Sequence, residues 1–319
     1  LIRRNYWMKE VDFGMFLSIL LEVVLPIFVL IGFGCIMQYA FRLDLYTLAK
    51  INFYYITPAI VFVSLYSSNI PFSLLGSVAL FYILYVLILY LISTVVARSM
   101  KYSPGMRGAF TNSVMLDNSG NYGIPINELV FKGEPVAASV QALVMTFQSF
   151  ITFTYGAFVV QNGSASPRKI LMNFLKMPVP YALVLGLGLN LLHEPLPPLL
   201  MEPLNYVSRS MVALALLTLG AQIVQYPFRM KRFSVYLSMV LRLLVGPAVG
   251  FSLVLLLGLE GIPAQALLIA SGMPTGVNTA ILAEEYKNEP DFAAQTVLLS
   301  TLVNVITMTV LITFAQQLG

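Results

Sequence analysis

Residues 108–131 read GAFTNSVMLDNSGNYGIPINELVF. The flanks are apolar, but the centre, Asp117-Asn118-Ser119-Gly120-Asn121-Tyr122-Gly123-Ile124-Pro125, resists continuous helix. Each Gly costs about 1 kcal/mol against Ala in a helix interior, and Pro about 3 kcal/mol. Pro125 also pushes Ile124 out of the helical region. Residues 271–279, SGMPTGVNT, interrupt a second apolar stretch in the same manner. Unwound backbone at membrane depth leaves N–H and C=O groups unpaired. It is tolerated only where it is buried in protein or lines a wet cavity. The spacing therefore predicts two broken membrane helices. Gly120, Gly123 and Pro125 break the first, and Gly272, Pro274 and Gly276 break the second.

The rest of the chain shows why the bilayer is its solvent. Of 319 residues, 58% are hydrophobic and 10% charged, whereas a soluble domain carries about 25% charged residues. Residues 72–97 and 298–314 contain no charge at all, and a spanning helix needs about 20 mostly apolar residues. A transmembrane barrel would show roughly 10-residue alternating segments instead. Residues 15–38 are too long for a signal h-region, and no small-residue cleavage site follows them. Cys35 and His193 are single. A disulfide within the chain, a Cys/His metal site and a hydrolytic triad are therefore not expected, and no cofactor motif is found. The net charge of +4 reads as basic cytoplasmic loops, not as a nucleic-acid surface.

Ten spans are predicted: 15–38, 43–66, 72–97, 106–131 and 135–160, then 169–192, 199–225, 233–257, 264–286 and 291–316. Loops after odd-numbered spans carry Arg42; Arg98, Lys101 and Arg107; Arg168 and Lys169; Arg229, Lys231 and Arg232; and Lys287. Loops after even-numbered spans carry Lys132 alone. The positive-inside rule then places the odd loops in the cytoplasm and both termini outside. Arg3, Arg4 and Lys9 near the N-terminus dissent.

The chain repeats itself. Glu134-Pro135 and Glu289-Pro290 each precede a long apolar helix. On that alignment Ala138, Leu143, Thr146, Ile151-Thr152 and Thr154 fall on Ala293, Leu298, Thr301, Ile306-Thr307 and Thr309. Pro26, Gly32 and Gly34 fall on Pro180, Gly186 and Gly188 at nearly the same offset. The expected fold class is all-α and polytopic: ten transmembrane helices as two inverted five-helix repeats, with broken, crossing fourth and ninth helices. An odd number of spans per half turns the second half upside down. The expected divisions are an N-terminal tail (1–14), a first repeat (15–161), a cytoplasmic linker (162–168) and a second repeat (169–319). Inverted repeats with Gly/Pro-interrupted helices at matching positions point to a transporter whose site lies at the midplane. Duplication without transport, and a plain kink at each break, are the blander readings.

Half-helices that start at a break aim free N–H groups and positive dipole ends inward, which favours anions. Asn118, Ser119, Asn121, Thr275, Asn278 and Thr279 are the candidate hydrogen-bonding contacts for a carboxylate. Arg209 is the candidate charged contact. Arg242 is the weaker candidate, since either Arg could instead pair with an acid such as Glu22 or Asp117, or snorkel. Asp117 and Glu22 are the candidate coupling groups.

At the two breaks the sequence resembles the auxin efflux carrier family, which includes plant auxin exporters and bacterial malate or malonate permeases. The residues that carry the resemblance are Asn118-Ser119 with Gly123-Ile124-Pro125, then Pro274-Thr275-Gly276 followed by Ala283-Glu284-Glu285-Tyr286 and Glu289-Pro290. Ile51-Asn52 and Ser67-Ser68-Asn69 bracket the second span similarly. The resemblance implies ten helices with a crossover of the broken pair, outward-facing termini and contact of Asn118 with a substrate carboxylate. Its bacterial members imply a dicarboxylate such as malate or malonate, moved across a bacterial cytoplasmic membrane. Asp117 departs from the plant pattern, which has proline there. Asn278-Thr279 replaces a more apolar, proline-containing crossover, and the short 161–170 loop lacks the plant regulatory insertion. A coupling ion, H⁺ or Na⁺, stays open, as does a homodimer. The rival readings are a Na⁺-coupled symporter of the bile-acid type and a membrane enzyme; no nucleophile cluster supports the latter.

Overall fold

The computed structural model describes residues 13–67, 72–160, 168, 172, 175–225 and 232–318. Most of the expected N-terminal tail, most of the 162–168 linker, Ser68-Asn69, and Arg229 and Lys231 lie outside the described residues. The described chain is all-α. Seven helices among the described residues are long and apolar enough to cross a bilayer: Phe13–Phe41, Leu45–Tyr66, Leu74–Ser99, Pro135–Val160, Pro198–Val224, Phe233–Leu256 and Pro290–Leu318. At 1.5 Å per residue even a 22-residue helix spans about 33 Å, the thickness of the hydrocarbon core. The remaining helices are shorter. Val179–Leu191 is one piece. Pro104–Met115 and Ile124–Phe131 flank the first break, and Gly261–Ser271 and Val277–Glu285 flank the second.

Local sequence explains the helix ends and irregularities. Ser103 and Glu134 cap the helices that follow them, accepting from Met106 N–H (3.2 Å) and Ala137 N–H (2.8 Å); each is followed by Pro at the first helical position, where no N–H is missed. π-helical turns occupy Leu20–Val24, Asn52–Ile56, Ser119–Gly123 and Leu241–Val245. Each of these four runs directly into Leu25-Pro26, Thr57-Pro58, Ile124-Pro125 or Gly246-Pro247, whereas a further π turn at Thr152–Gly156 precedes no proline. A proline ring strikes the carbonyl four residues back and supplies no N–H; an extra residue in the preceding turn relieves both problems.

Polarity is inverted relative to a water-soluble fold. The first helix exposes Leu17, Leu21, Leu25, Val29, Phe33 and Ile36, and the third exposes Leu80, Ile83, Leu87, Leu91 and Val95. Polar side chains are buried instead: Gln141, Thr146, Gln148, Ser149 and Thr152 on one helix, and Gln295, Thr296, Ser300, Thr301 and Asn304 on the last. Such a chain is a lipid-embedded, multi-pass membrane protein.

Small residues set the packing. A Cβ on Gly34 would strike the backbone of Leu217, and one on Gly220 would strike the backbone of Ile31. The first helix and Met211–Val224 thus touch backbone to backbone, as small-residue faces do in membranes. Thr57–Tyr66 and Val179–Leu191 meet beside them, where a Cβ on Gly186 would sit 2.9 Å from Phe62 O. Asn190 Nδ2 donates to Tyr66 O across that seam (2.7 Å). Asn52 Nδ2 donates to Thr218 Oγ1 (2.9 Å), tying the second helix to Met211–Val224. The other helices pack around the two breaks, with aromatic contacts Tyr82–Phe147, Phe110–Phe292 and Phe251–Phe314.

Candidate functional site

The two breaks meet. Asp117 and Thr275 form an isolated antiparallel bridge. Asn118 N–H donates to Pro274 O, and Gly276 N–H donates to Leu116 O, both at 2.9 Å. The unwound segments therefore satisfy each other as a two-residue sheet, which is how extended backbone survives inside a membrane protein. Gly276 has to be glycine for this approach. A Cβ there would lie 2.5 Å from Asp117 O and 3.1 Å from its carbonyl carbon, and neither can turn aside as a side chain would.

Other freed carbonyls are met by side chains from neighbouring helices. Thr275 Oγ1 donates to Ser113 O (2.8 Å). Gln148 Nε2 donates to Asp117 O, and Asn304 Nδ2 donates to Gly272 O, each at 2.9 Å. On the Glu134/Glu289 alignment Asp117 falls on Gly272, so the two amides serve matching positions in the two halves. Gln141 Nε2 donates to Ser119 O (2.8 Å). Arg242 reaches three more carbonyls: Nε donates to Met273 O (2.9 Å), Nη1 to Val114 O (3.0 Å) and Nη2 to Ser271 O (2.7 Å).

The charges are arranged with the dipoles. Pro104–Met115 and Gly261–Ser271 point their C-terminal, negative ends at Arg242. Asp117 is buried with its Oδ2 4.0 Å from Arg242 Nη2, and its Oδ1 accepts from Ser119 N–H (3.1 Å) and from the Ser119 hydroxyl. On the opposite side the helices that resume at Ser119 and Val277 take no side-chain cap from the residue before them. At Ser119 the first N–H is already held by Asp117 Oδ1, so Val277–Glu285, with its positive dipole end, is the anion-favouring end of the crossing.

Two cavities adjoin this frame. The inner one is lined by Asp117, Asn118, Asn121, Gln148 and Asn278 among others. It holds about 20 Å³, room for one water. Asn118 Nδ2 is buried beside it with no hydrogen-bond partner. The outer cavity holds about 270 Å³ and is lined by Ser64, Asn127, Glu128, Gln141, Asn205 and Arg209 among others. Asn127 Nδ2 is likewise buried without a partner. Gln141 links the outer cavity to the first break, since it lines that cavity and donates to Ser119 O.

The structure brings Asn118, Asn121, Asn278 and Asp117 to the inner cavity, with Gly120 in its wall. Ser119, Thr275 and Thr279 are buried within the frame, with their hydroxyls bound to Asp117, Ser113 O and Gly276 O. Gly123 packs so closely on Gln141 that a Cβ would lie 2.5 Å from its Nε2, and Pro125 starts the Ile124–Phe131 helix. Gly272 ends Gly261–Ser271, and Pro274 supplies a bridge carbonyl. Arg209 is exposed in the outer cavity and not at the crossing. Glu22 is exposed on the first helix and lines neither cavity. Sequence reasoning ranked Arg242 below Arg209 and missed Tyr85, Gln141, Gln148 and Asn304. The available signals were an Arg in an otherwise uncharged span just before Gly246-Pro247, and amides seven residues apart in an apolar helix. Among the described residues no group of three His, Cys, Asp or Glu side chains converges as a metal site.

A family model described as membrane transport protein matches residues 164–312. An uncharacterized transporter of Methanocaldococcus jannaschii is 25% identical over 193 residues, which cover 59% of this chain and 61% of that protein. The match thus spans less than two thirds of that relative's length. The family match takes in the second break but not the first. With the helical architecture, these similarities make the chain a transporter-like, all-α polytopic membrane protein.

Proposed function

We propose that the chain is a secondary transporter that moves a small organic anion, a dicarboxylate such as malate or malonate, by alternating access. The observation that carries the reading is the crossing itself: a half-helix N-terminus at Val277 with no side-chain cap, beside an asparagine-lined cavity in which Asn118 Nδ2 has no partner. Carboxylate oxygens are the groups that such donors lack. The paired breaks at matching positions support ten spans in two inverted five-helix repeats of the auxin efflux carrier kind.

The moving parts follow from the packing. The first, second, Val179–Leu191 and Pro198–Val224 helices form the scaffold, and the helices around the crossing rock against it. The outer cavity supports this division because both groups line it: Ser64, Asn205 and Arg209 from one, Asn127 and Gln141 from the other. By the loop charges this cavity opens outward, with both termini on that side of a bacterial cytoplasmic membrane. Arg209 draws the anion in, and rocking widens the inner cavity as the outer one closes.

Energetics limit the direction. Each charge moved through 100 mV exchanges about 2.3 kcal/mol, so a dianion entering an inside-negative cell costs about 4.6 kcal/mol per 100 mV. Uptake then needs a coupling ion or an exchanged anion; efflux needs neither. Of the two acids singled out from sequence, Asp117 adjoins the inner cavity and Glu22 does not.

The test is flux of radiolabelled malate and malonate in proteoliposomes. Saturable flux is expected in wild type and its loss in Asn118→Ala and Asn278→Ala, with both proteins still inserted. Wild-type flux in both variants would remove the crossing as the carboxylate site.

A further inference from the structure

Arg242 is the largest fully buried side chain of the described residues, at 0% exposure. It lines neither cavity, so it is not a substrate contact in this structure. Four of its five N–H protons find oxygen: Met273 O, Val114 O, Ser271 O and, at 2.7 Å, Tyr85 Oη. Tyr85 in turn donates its hydroxyl to Ser271 O (2.7 Å). Asp117 Oδ2 stands 4.0 Å from Nη2. The guanidinium thus sits in a nest of oxygens drawn from both broken helices and the third span.

Local sequence holds it there. Pro247 forces the π turn Leu241–Val245 that carries Arg242. Gly246 and Gly250 let that helix close on Ser271; a Cβ on Gly246 would lie 3.1 Å from Ser271 O, and one on Gly250 would strike the Ser271 side chain.

The nest has the chemistry of a cation site. Two half-helix C-termini bring about half a negative charge each, and Asp117 brings a carboxylate. Hard cations take oxygen ligands, and unwound carbonyls with half-helix C-termini are what coordinate coupling Na⁺ in transporters with broken helices. We propose that Arg242 is a resident cation: its guanidinium fills a site that would otherwise take a dissolved monovalent cation, so the crossing works without Na⁺. The inference rests on the crossing being the transport centre, but the oxygen nest can be tested apart from transport.

The experiment uses the full chain with Arg242→Gln, Arg242→Ala and Arg242→Lys. Melting temperature in detergent and malate flux in proteoliposomes are measured in NaCl, in choline chloride of equal ionic strength, and with millimolar guanidinium or methylguanidinium chloride added. Wild type is expected to show the same melting temperature and flux in NaCl and choline chloride. Arg242→Gln and Arg242→Ala are expected to melt lower and lose at least tenfold in flux in choline chloride. Both quantities should recover with guanidinium or with Na⁺, and Arg242→Lys should need neither. Cation-dependent melting without any malate flux would uphold the resident cation and overturn the proposed substrate. Folded Arg242→Ala that no small cation stabilises would overturn the resident cation. Should the neutral variants fail to fold, the wild type still decides: flux or melting that falls when choline replaces Na⁺ refutes the inference, and insensitivity with a folded Arg242→Lys upholds it.

Discussion

Gly276→Ala puts a methyl group where the two broken helices touch. The new Cβ would sit 2.5 Å from Asp117 O and 3.5 Å from Leu116 O. A carbon finds its optimum near 3.5 Å from a neighbouring heavy atom, so the segments would part by roughly 1 Å. That stretches the Gly276–Leu116 and Asn118–Pro274 hydrogen bonds, both 2.9 Å, beyond the range in which an N–H···O bond holds. Each lost bond leaves buried backbone groups unsatisfied at roughly 1–3 kcal/mol, so the variant should lose about 2–6 kcal/mol. Gly32→Ala is the matched control, because nothing lies within 4 Å of its Cβ; it should gain about 0.5–1 kcal/mol from helix propensity. The assay is thermal melting in detergent beside malate flux in liposomes. Gly276→Ala should melt clearly lower and lose flux, and Gly32→Ala should melt at or above wild type. A Gly276→Ala protein that melts and transports like wild type would refute the backbone-contact reasoning.

Arg209→Gln removes a charge from the outer cavity wall and not from the crossing, so it should raise the KM for a dianion several-fold at low salt with little change in maximal rate. The effect should shrink at about 0.15 M salt, where the Debye length is about 8 Å; an unchanged KM at low salt would count against a steering role. Gly220→Ala drives a methyl into the Ile31 backbone and should cost about 1–3 kcal/mol by overpacking, read as a lower melting temperature. Gly188→Ala, with nothing within 4 Å of its Cβ, should not, and equal melting of the two would remove the backbone-to-backbone seam between the first helix and Met211–Val224.

The elements written in local chemistry were legible from the chain alone. Apolar runs fixed an all-α, multi-pass protein, because burying a backbone in lipid leaves helices as the way to pair it within one segment. Gly and Pro at 120, 123, 125, 272, 274 and 276 marked both breaks, because each residue's conformational cost is set by its own neighbours. Asn118, Asn121 and Asn278 were legible as candidates because polar amides are costly in an apolar span without a purpose. What no window of sequence contains is which atoms meet across the fold. Asp117 and Thr275 are far apart in the chain, yet they share a bridge. Ser119, Thr275 and Thr279 looked alike to Asn118 by type, but their hydroxyls are consumed inside the frame. Arg209 and Arg242 were both arginines in membrane spans. Only the tertiary structure sends one to an open cavity and buries the other among carbonyls, because an arginine's role is decided by the oxygens that surround its guanidinium, and those come from segments that only packing brings together.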